Sequence, residues 1–116
     1  MKPEARFKTR VRQILLEHHW DVQTIETATG RGVPDLSIAK KGVGNIWIEL
    51  KYGDKEPQIR PEQNAWLTRR AMHGGKCGVV WSWDENENYH LQFYLSSGTT
   101  YRYFSPDLNE MLSGLK

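Results

Sequence analysis

The chain has 116 residues, of which 38% are hydrophobic, a formal net charge of +2 and a mean hydropathy of −0.70. That length predicts one domain, and no apolar run approaches membrane-spanning length, which argues against a helical membrane protein. A single cysteine, Cys77, excludes an internal disulfide, and the N-terminal MKPEARFKTRVRQ lacks the apolar stretch of a signal peptide, so a soluble protein of a reducing, cytoplasmic compartment is expected. The charge is uneven. Residues 1–16 carry Lys2, Arg6, Lys8, Arg10 and Arg12 against Glu4 alone, whereas DENEN at 84–88 is acidic. This asymmetry suggests a basic face for a polyanion and an acidic edge turned away from it.

In chain order, EARFKTRVRQILLEHH (4–19) predicts an amphipathic helix, with Phe7, Val11, Ile14, Leu15 and His18 on one stripe. Glu4 falls on that stripe one turn before Phe7, which directs it toward the rest of the fold, and Glu17 falls off it. WDVQTIET (20–27) alternates as a strand, and ATGRGVP is a loop. DLSIAK (35–40), KGVGN (41–45) and IWIELK (46–51) form a strand, a hairpin turn and a strand. Ile46, Ile48 and Leu50 then face one way and Trp47, Glu49 and Lys51 the other. A charged loop at 52–59 leads to a second helix over RPEQNAWLTRRAMHGG, with Pro61 in its first turn and Gly74 and Gly75 ending it. KCGVVWSW (76–83) is a buried strand, YHLQFYL (89–95) and TYRYF (100–104) are further strands, and SPDLNEML opens a short helix with Ser105 as N-cap and Pro106 first. The order αβββαβ, then ββα, predicts a sheet covered by helices.

The chemistry gathers at the hairpin. Asp35 starts one strand while Glu49 and Lys51 project together from its antiparallel neighbour, so two carboxylates and an ammonium meet within a few ångströms. Singly, Asp35 reads as a turn cap and Glu49–Lys51 as a same-strand ion pair. Together they resist burial unless a divalent cation joins them. Mg²⁺, or Mn²⁺ in its place, favours such oxygen donors and acidifies a bound water, with Lys51 beside it to orient the attack. His18, His19, His73 and His90 show no zinc spacing, and GRG at 30–32 lacks the remainder of a P-loop. Trp47, Trp66, Trp81 and Trp83 read as core.

At these residues the sequence resembles the PD-(D/E)xK nuclease superfamily, with Pro34-Asp35 as PD and Glu49-Leu50-Lys51 as ExK. It resembles in particular the VRR-NUC family, through Gly32-Val33-Pro34-Asp35-Leu36, Ile48-Glu49-Leu50-Lys51, Pro61-Glu62-Gln63 and GKCGVV at 75–80. The resemblance spans roughly residues 4–82, and residues 1–116 are read as one nuclease domain. It implies a restriction-endonuclease-like mixed β-sheet flanked by helices, here with a C-terminal ββα extension. It also implies a Mg²⁺-dependent endonuclease acting on DNA and, for short phage-type members, a homodimeric Holliday-junction resolvase in a bacterial or phage-infected cell. Asp35, Glu49 and the Leu50 carbonyl are then expected to bind the metal. Glu4, with Glu17 as alternative, is expected to assist as a further ligand, Lys51 to activate water, and Gln63 to orient the site. The expected DNA contacts are Lys8, Arg10, Arg12, Arg31, Tyr52, Lys55, Arg60, Arg69 and Arg70. The alternatives are a restriction- or mismatch-type duplex endonuclease and a non-catalytic DNA-binding module of the same fold. Phe93, Tyr94, Tyr101, Tyr103 and Phe104 offer a dimer face.

Overall fold

In the computed structural model, residues 2–25, 31–83 and 88–115 are described. Helix α1 runs over Pro3–Glu17, with proline at its first position and Phe7, Val11 and Leu15 buried. His18 closes it, His19 adopts a left-handed φ of 67°, and the Trp20 N–H bonds back to the Leu15 carbonyl at 3.0 Å. A left-handed non-glycine residue is uncommon. Here it reverses the chain so that Trp20 is buried as strand β1 (Asp21–Thr24) begins.

The remaining elements are β2 (Leu36–Lys40), β3 (Gly44–Tyr52), α2 (Pro61–Met72), β4 (Lys76–Ser82), β5 (Tyr89–Tyr94), β6 (Thr100–Ser105) and α3 (Leu108–Ser113). The strands lie in the order β1-β2-β3-β4-β5-β6. Every neighbouring pair is antiparallel except β3 and β4, which are parallel because α2 crosses between them. The result is the mixed sheet flanked by helices that the element order predicts.

The alternation read from IWIELK sets the two faces. Ile46, Ile48 and Leu50 pack with Phe7, Val11 and Leu15 of α1 and with Leu108 and Leu112 of α3. On the opposite face Trp66, Leu67 and Ala71 of α2 pack with Cys77, Val79 and Trp81 of β4. Glu49 and Lys51 therefore project on the α2 side.

Several boundaries differ from the sequence reading. The first strand stops at Thr24, and residues 26–30, the end of the predicted strand together with much of the following loop, lie outside the described residues, as does most of the acidic DENEN segment. The β2–β3 turn tightens to residues 41–43, because Lys40 already pairs with Gly44. Ser105 is not the N-cap of α3. It remains the last residue of β6, and its hydroxyl accepts the Asp107 N–H at 3.0 Å. Asp107 takes the cap, accepting the Glu110 N–H at 2.9 Å. Pairing of Ser105 with Tyr89 keeps the serine in the sheet and leaves the cap to Asp107, whose carboxylate suits the positive end of the helix.

Candidate active site

The β2–β3 register explains why Asp35 and Glu49 are separated by one hairpin. Leu36 pairs with Ile48, so one step further along the same register sets Asp35 opposite Glu49. Asp35 stands just before the first residue of β2, after the buried Pro34. Its Oδ2 accepts the Leu50 N–H at 2.9 Å, supplying the partner that a further strand residue would have given. Its backbone carbonyl accepts the Ile25 N–H at 2.8 Å. The residue is therefore held on both sides, its carboxylate by β3 and its backbone by the residue that follows β1. The N–H and C=O of one strand residue leave the same edge, so the Leu50 carbonyl lies on the Asp35 side.

Glu49 is 5% exposed. Its Oε2 accepts the Gln63 amide at 2.8 Å and lies 3.3 Å from the Lys51 ammonium. Gln63 is itself 3% exposed, and its other amide atom, Oε1, accepts the Arg60 N–H at 3.1 Å. The first turn of α2 thus fixes the amide with its N–H₂ toward Glu49. Burial, and after it the Asp35 carboxylate, push the Glu49 carboxyl up from 4.5 to about 7, with Lys51 and then Lys8 opposing the rise.

Gly32 brings the hairpin and α2 together, and its part was not evident in the sequence. Its φ is 75°, and a Cβ there would lie 2.2 Å from the Glu62 carbonyl oxygen and 2.9 Å from the Gln63 nitrogen. Only glycine permits this approach, which sets the GVPD loop against the helix that carries Gln63. Within GRG, the close contact of Gly32 is with α2.

Around this centre, Lys8 stands 3.6 Å from Asp35 and 3.7 Å from Glu4. Lys8 was expected only as a DNA contact. The Glu4–Lys8 spacing of four signals half of this bridge; the Asp35 half needs the fold. Glu4 does not turn inward as its place on the stripe suggests: its side chain is 62% exposed and reaches the acid pair only through Lys8. Residues 3–6 of α1 are all exposed, and the buried stripe begins only at Phe7. Glu17 is exposed at the other end of α1, about 20 Å along the axis from Glu4.

The expected DNA contacts separate into groups. Lys8 and Arg12, with Thr9 and Thr24, line a pocket of about 240 Å³ beside Asp35 and Leu50. Arg10 and Arg31 are exposed. Tyr52 is half-buried, its ring 5.3 Å from that of Phe7. Lys55 is exposed, and its carbonyl accepts the Trp81 indole N–H at 3.1 Å. Arg60 lies 3.6 Å from Glu62. Arg69 and Arg70 lie in the last turn of α2, away from the acids. Trp66 and Trp81 are buried as expected, while Trp47 and Trp83 are half-buried.

Among the described residues, no three His, Cys, Asp or Glu side chains stand together as a ready cage for a metal ion. The centre has two carboxylates, of which one is buried and biased toward its protonated form, and one strand carbonyl. Such a set of hard oxygens fits a small dication that keeps several waters, and fits zinc or a soft metal poorly.

Fold and site together define an α/β protein with a mixed sheet, in which an acid–acid–lysine–glutamine cluster forms where a hairpin meets the crossover helix. Its architecture is similar to a solved structure of Archaeoglobus fulgidus Hjc, a Holliday junction resolvase from an archaeal hyperthermophile. The TM-score is 0.59 at 16% identity, over 97% of this chain and 94% of that one. At that identity the likeness establishes a shared fold. No family model and no curated protein matches the sequence.

Proposed function

We propose that the chain is a divalent-metal-dependent endonuclease of PD-(D/E)xK type, with VRR-NUC-like motif residues, that hydrolyses phosphodiester bonds in branched DNA, four-way junctions foremost. The observation that carries this reading is the buried Glu49 carboxylate opposite Asp35, gripped by Gln63 and Lys51. A buried acid pair is costly in a purely structural role and useful where a dication binds. The likeness in fold to a junction resolvase supports the substrate class.

Asp35, Glu49 and the Leu50 carbonyl would hold the ion, with Glu4 assisting from the first turn of α1. A bound Mg²⁺ or Mn²⁺ supplies Lewis-acid polarisation of the scissile phosphoryl group and lowers the pKa of water. Lys51 orients the attacking water and neutralises charge that develops on the phosphoryl oxygens. Gln63 keeps the Glu49 oxygens in place. In-line attack breaks the P–O3′ bond and leaves a 5′-phosphate. Lys8 and Arg12 face the backbone on the Asp35 side, and Arg31, Tyr52, Lys55 and Arg60 extend the surface; these contacts are salt-sensitive and indifferent to sequence. Two copies, joined through the aromatic C-terminal strands, place two sites on a symmetric junction.

A nicking assay on four-way junctions, flaps and linear duplex, in Mg²⁺ and in EDTA, tests this reading. Cutting of junctions in Mg²⁺ alone is expected. Equal cutting of linear duplex would make it a duplex endonuclease, and binding with no cutting would make it a DNA-binding module. Lys51→Ala should bind the junction and not cut it; undiminished cutting would remove Lys51 from the mechanism.

A further inference from the structure

A groove of about 730 Å³ runs between the start of β3 and the end of α2. Arg69, Arg70, His73 and Lys76 line it with Asn45 and Trp47, and no Asp or Glu is among its described lining residues. It is separate from the acid pair. Arg70 follows Gln63 by seven positions, about 10 Å along α2.

The cations here are held in place without being neutralised. The Arg70 guanidinium carbon lies 5.1 Å from the Trp47 ring centroid and 4.6 Å from that of Trp66. A guanidinium fixed by its face keeps its N–H edge available. Gly75 makes room for this arrangement, since a Cβ there would stand 2.7 Å from the Arg70 Cγ. Lys76 is held by the carbonyls of Val43 and Leu115 at 2.5 and 3.3 Å, which add no counter-charge. Arg69, Arg70 and Lys76 form no ion pair among the described residues, whereas Lys8, Lys51, Arg60 and Arg102 all do.

From this we infer that the groove holds the sugar–phosphate backbone of a DNA segment that is not being cut, so that substrate is gripped at two places along α2. The inference rests on the proposed action on DNA. Its chemistry is phosphate neutralisation: a fork-shaped donor, two further cations and no acid to repel the strand. The two arginines also complement the negative end of the helix dipole, but that role acts on stability and not on DNA.

The test is binding of a fluorescent four-way junction to the full chain in EDTA, by anisotropy, between about 0.05 and 0.3 M salt. Arg70→Met keeps an apolar cover on the two tryptophans while removing the charge, and Arg69 is exposed. The Arg69→Gln/Arg70→Met protein should bind at least about tenfold more weakly near 0.1 M salt, and its slope of log affinity against log salt should be shallower by roughly two. A urea midpoint close to that of the parent establishes that the variant is folded; should it not be, Arg69→Gln alone should lower the slope by about one. Parental affinity and slope in a folded variant would overturn the groove and leave the nuclease reading standing. A parent protein that binds no DNA would remove both.

Discussion

Glu49 carries a conflict between burial and charge that can be read out without DNA. Its folded carboxyl titrates near 7 against an ordinary 4.5, because burial and then Asp35 disfavour the anion. Between those two values the folded, metal-free chain binds more protons than the unfolded one, so stability falls as pH rises through that window. Below it the residue contributes no penalty, and above it the full penalty, at most on the order of 3 kcal/mol. Urea unfolding in EDTA at pH 5 and pH 8 should show this loss in the parent and not in Glu49→Gln; equal pH dependence would mean that the carboxyl is not strained. Gln63 makes a second case at the same scale. Gln63→Leu removes the amide donor from Glu49, a hydrogen bond to a charged group worth about 1.5–3 kcal/mol. Cleavage should drop roughly tenfold to a hundredfold near neutral pH, and its rise with pH should move to higher pH, since the unsupported carboxylate ionises later. A pH profile of initial rates checks both effects.

Among the elements, the GVPD loop meets α2 at a contact with no room for a side chain. Gly32→Ala combines a left-handed backbone with a collision against the Glu62 carbonyl, which cannot swing aside as a side chain would. It should cost more than about 2 kcal/mol, visible as a lower urea midpoint, with cleavage reduced as Gln63 is displaced. A neutral substitution would mean that the loop does not brace the helix. The same elements show how far sequence reading reaches. Strand β3 was legible from the alternation of IWIELK, and the pairing of β2 with β3 from KGVGN, so Glu49, Lys51 and Asp35 could be placed together before any coordinates. The ends of β3 were not legible: Gly44 and Tyr52 belong to it only because Lys40 and Ser82 pair with them. The cap of α3 was misplaced because Ser105 and Asp107 are both good caps in isolation, and pairing of Ser105 with Tyr89 in the sheet decides between them.

For the molecule as a whole, the sheet ends on β6, where Tyr101, Tyr103 and Phe104 are exposed. An edge strand with apolar side chains is an open template for another strand. If the proposed homodimer forms there, light scattering at micromolar concentration should report twice the chain mass, and Tyr101→Asp/Phe104→Asp should halve it while the fold persists. A parent protein that scatters as a monomer would remove the dimer and weaken the junction assignment with it. Among the described residues, no helix is long and apolar enough to cross a membrane.

By itself the sequence determined the order of elements, the face on which Glu49 and Lys51 project, and the chemical character of the Asp35–Glu49–Lys51–Gln63 set. These follow from local periodicity, turn composition and residue type, which act over a few neighbours. Only the tertiary structure decided that Gly32 locks the loop to α2, that Lys8 bridges Glu4 and Asp35, that Glu4 faces solvent, and that Arg69 and Arg70 belong to a groove apart from the acids. Each of these depends on contacts between segments distant in the chain, where position is set by how layers pack and no local pattern records it.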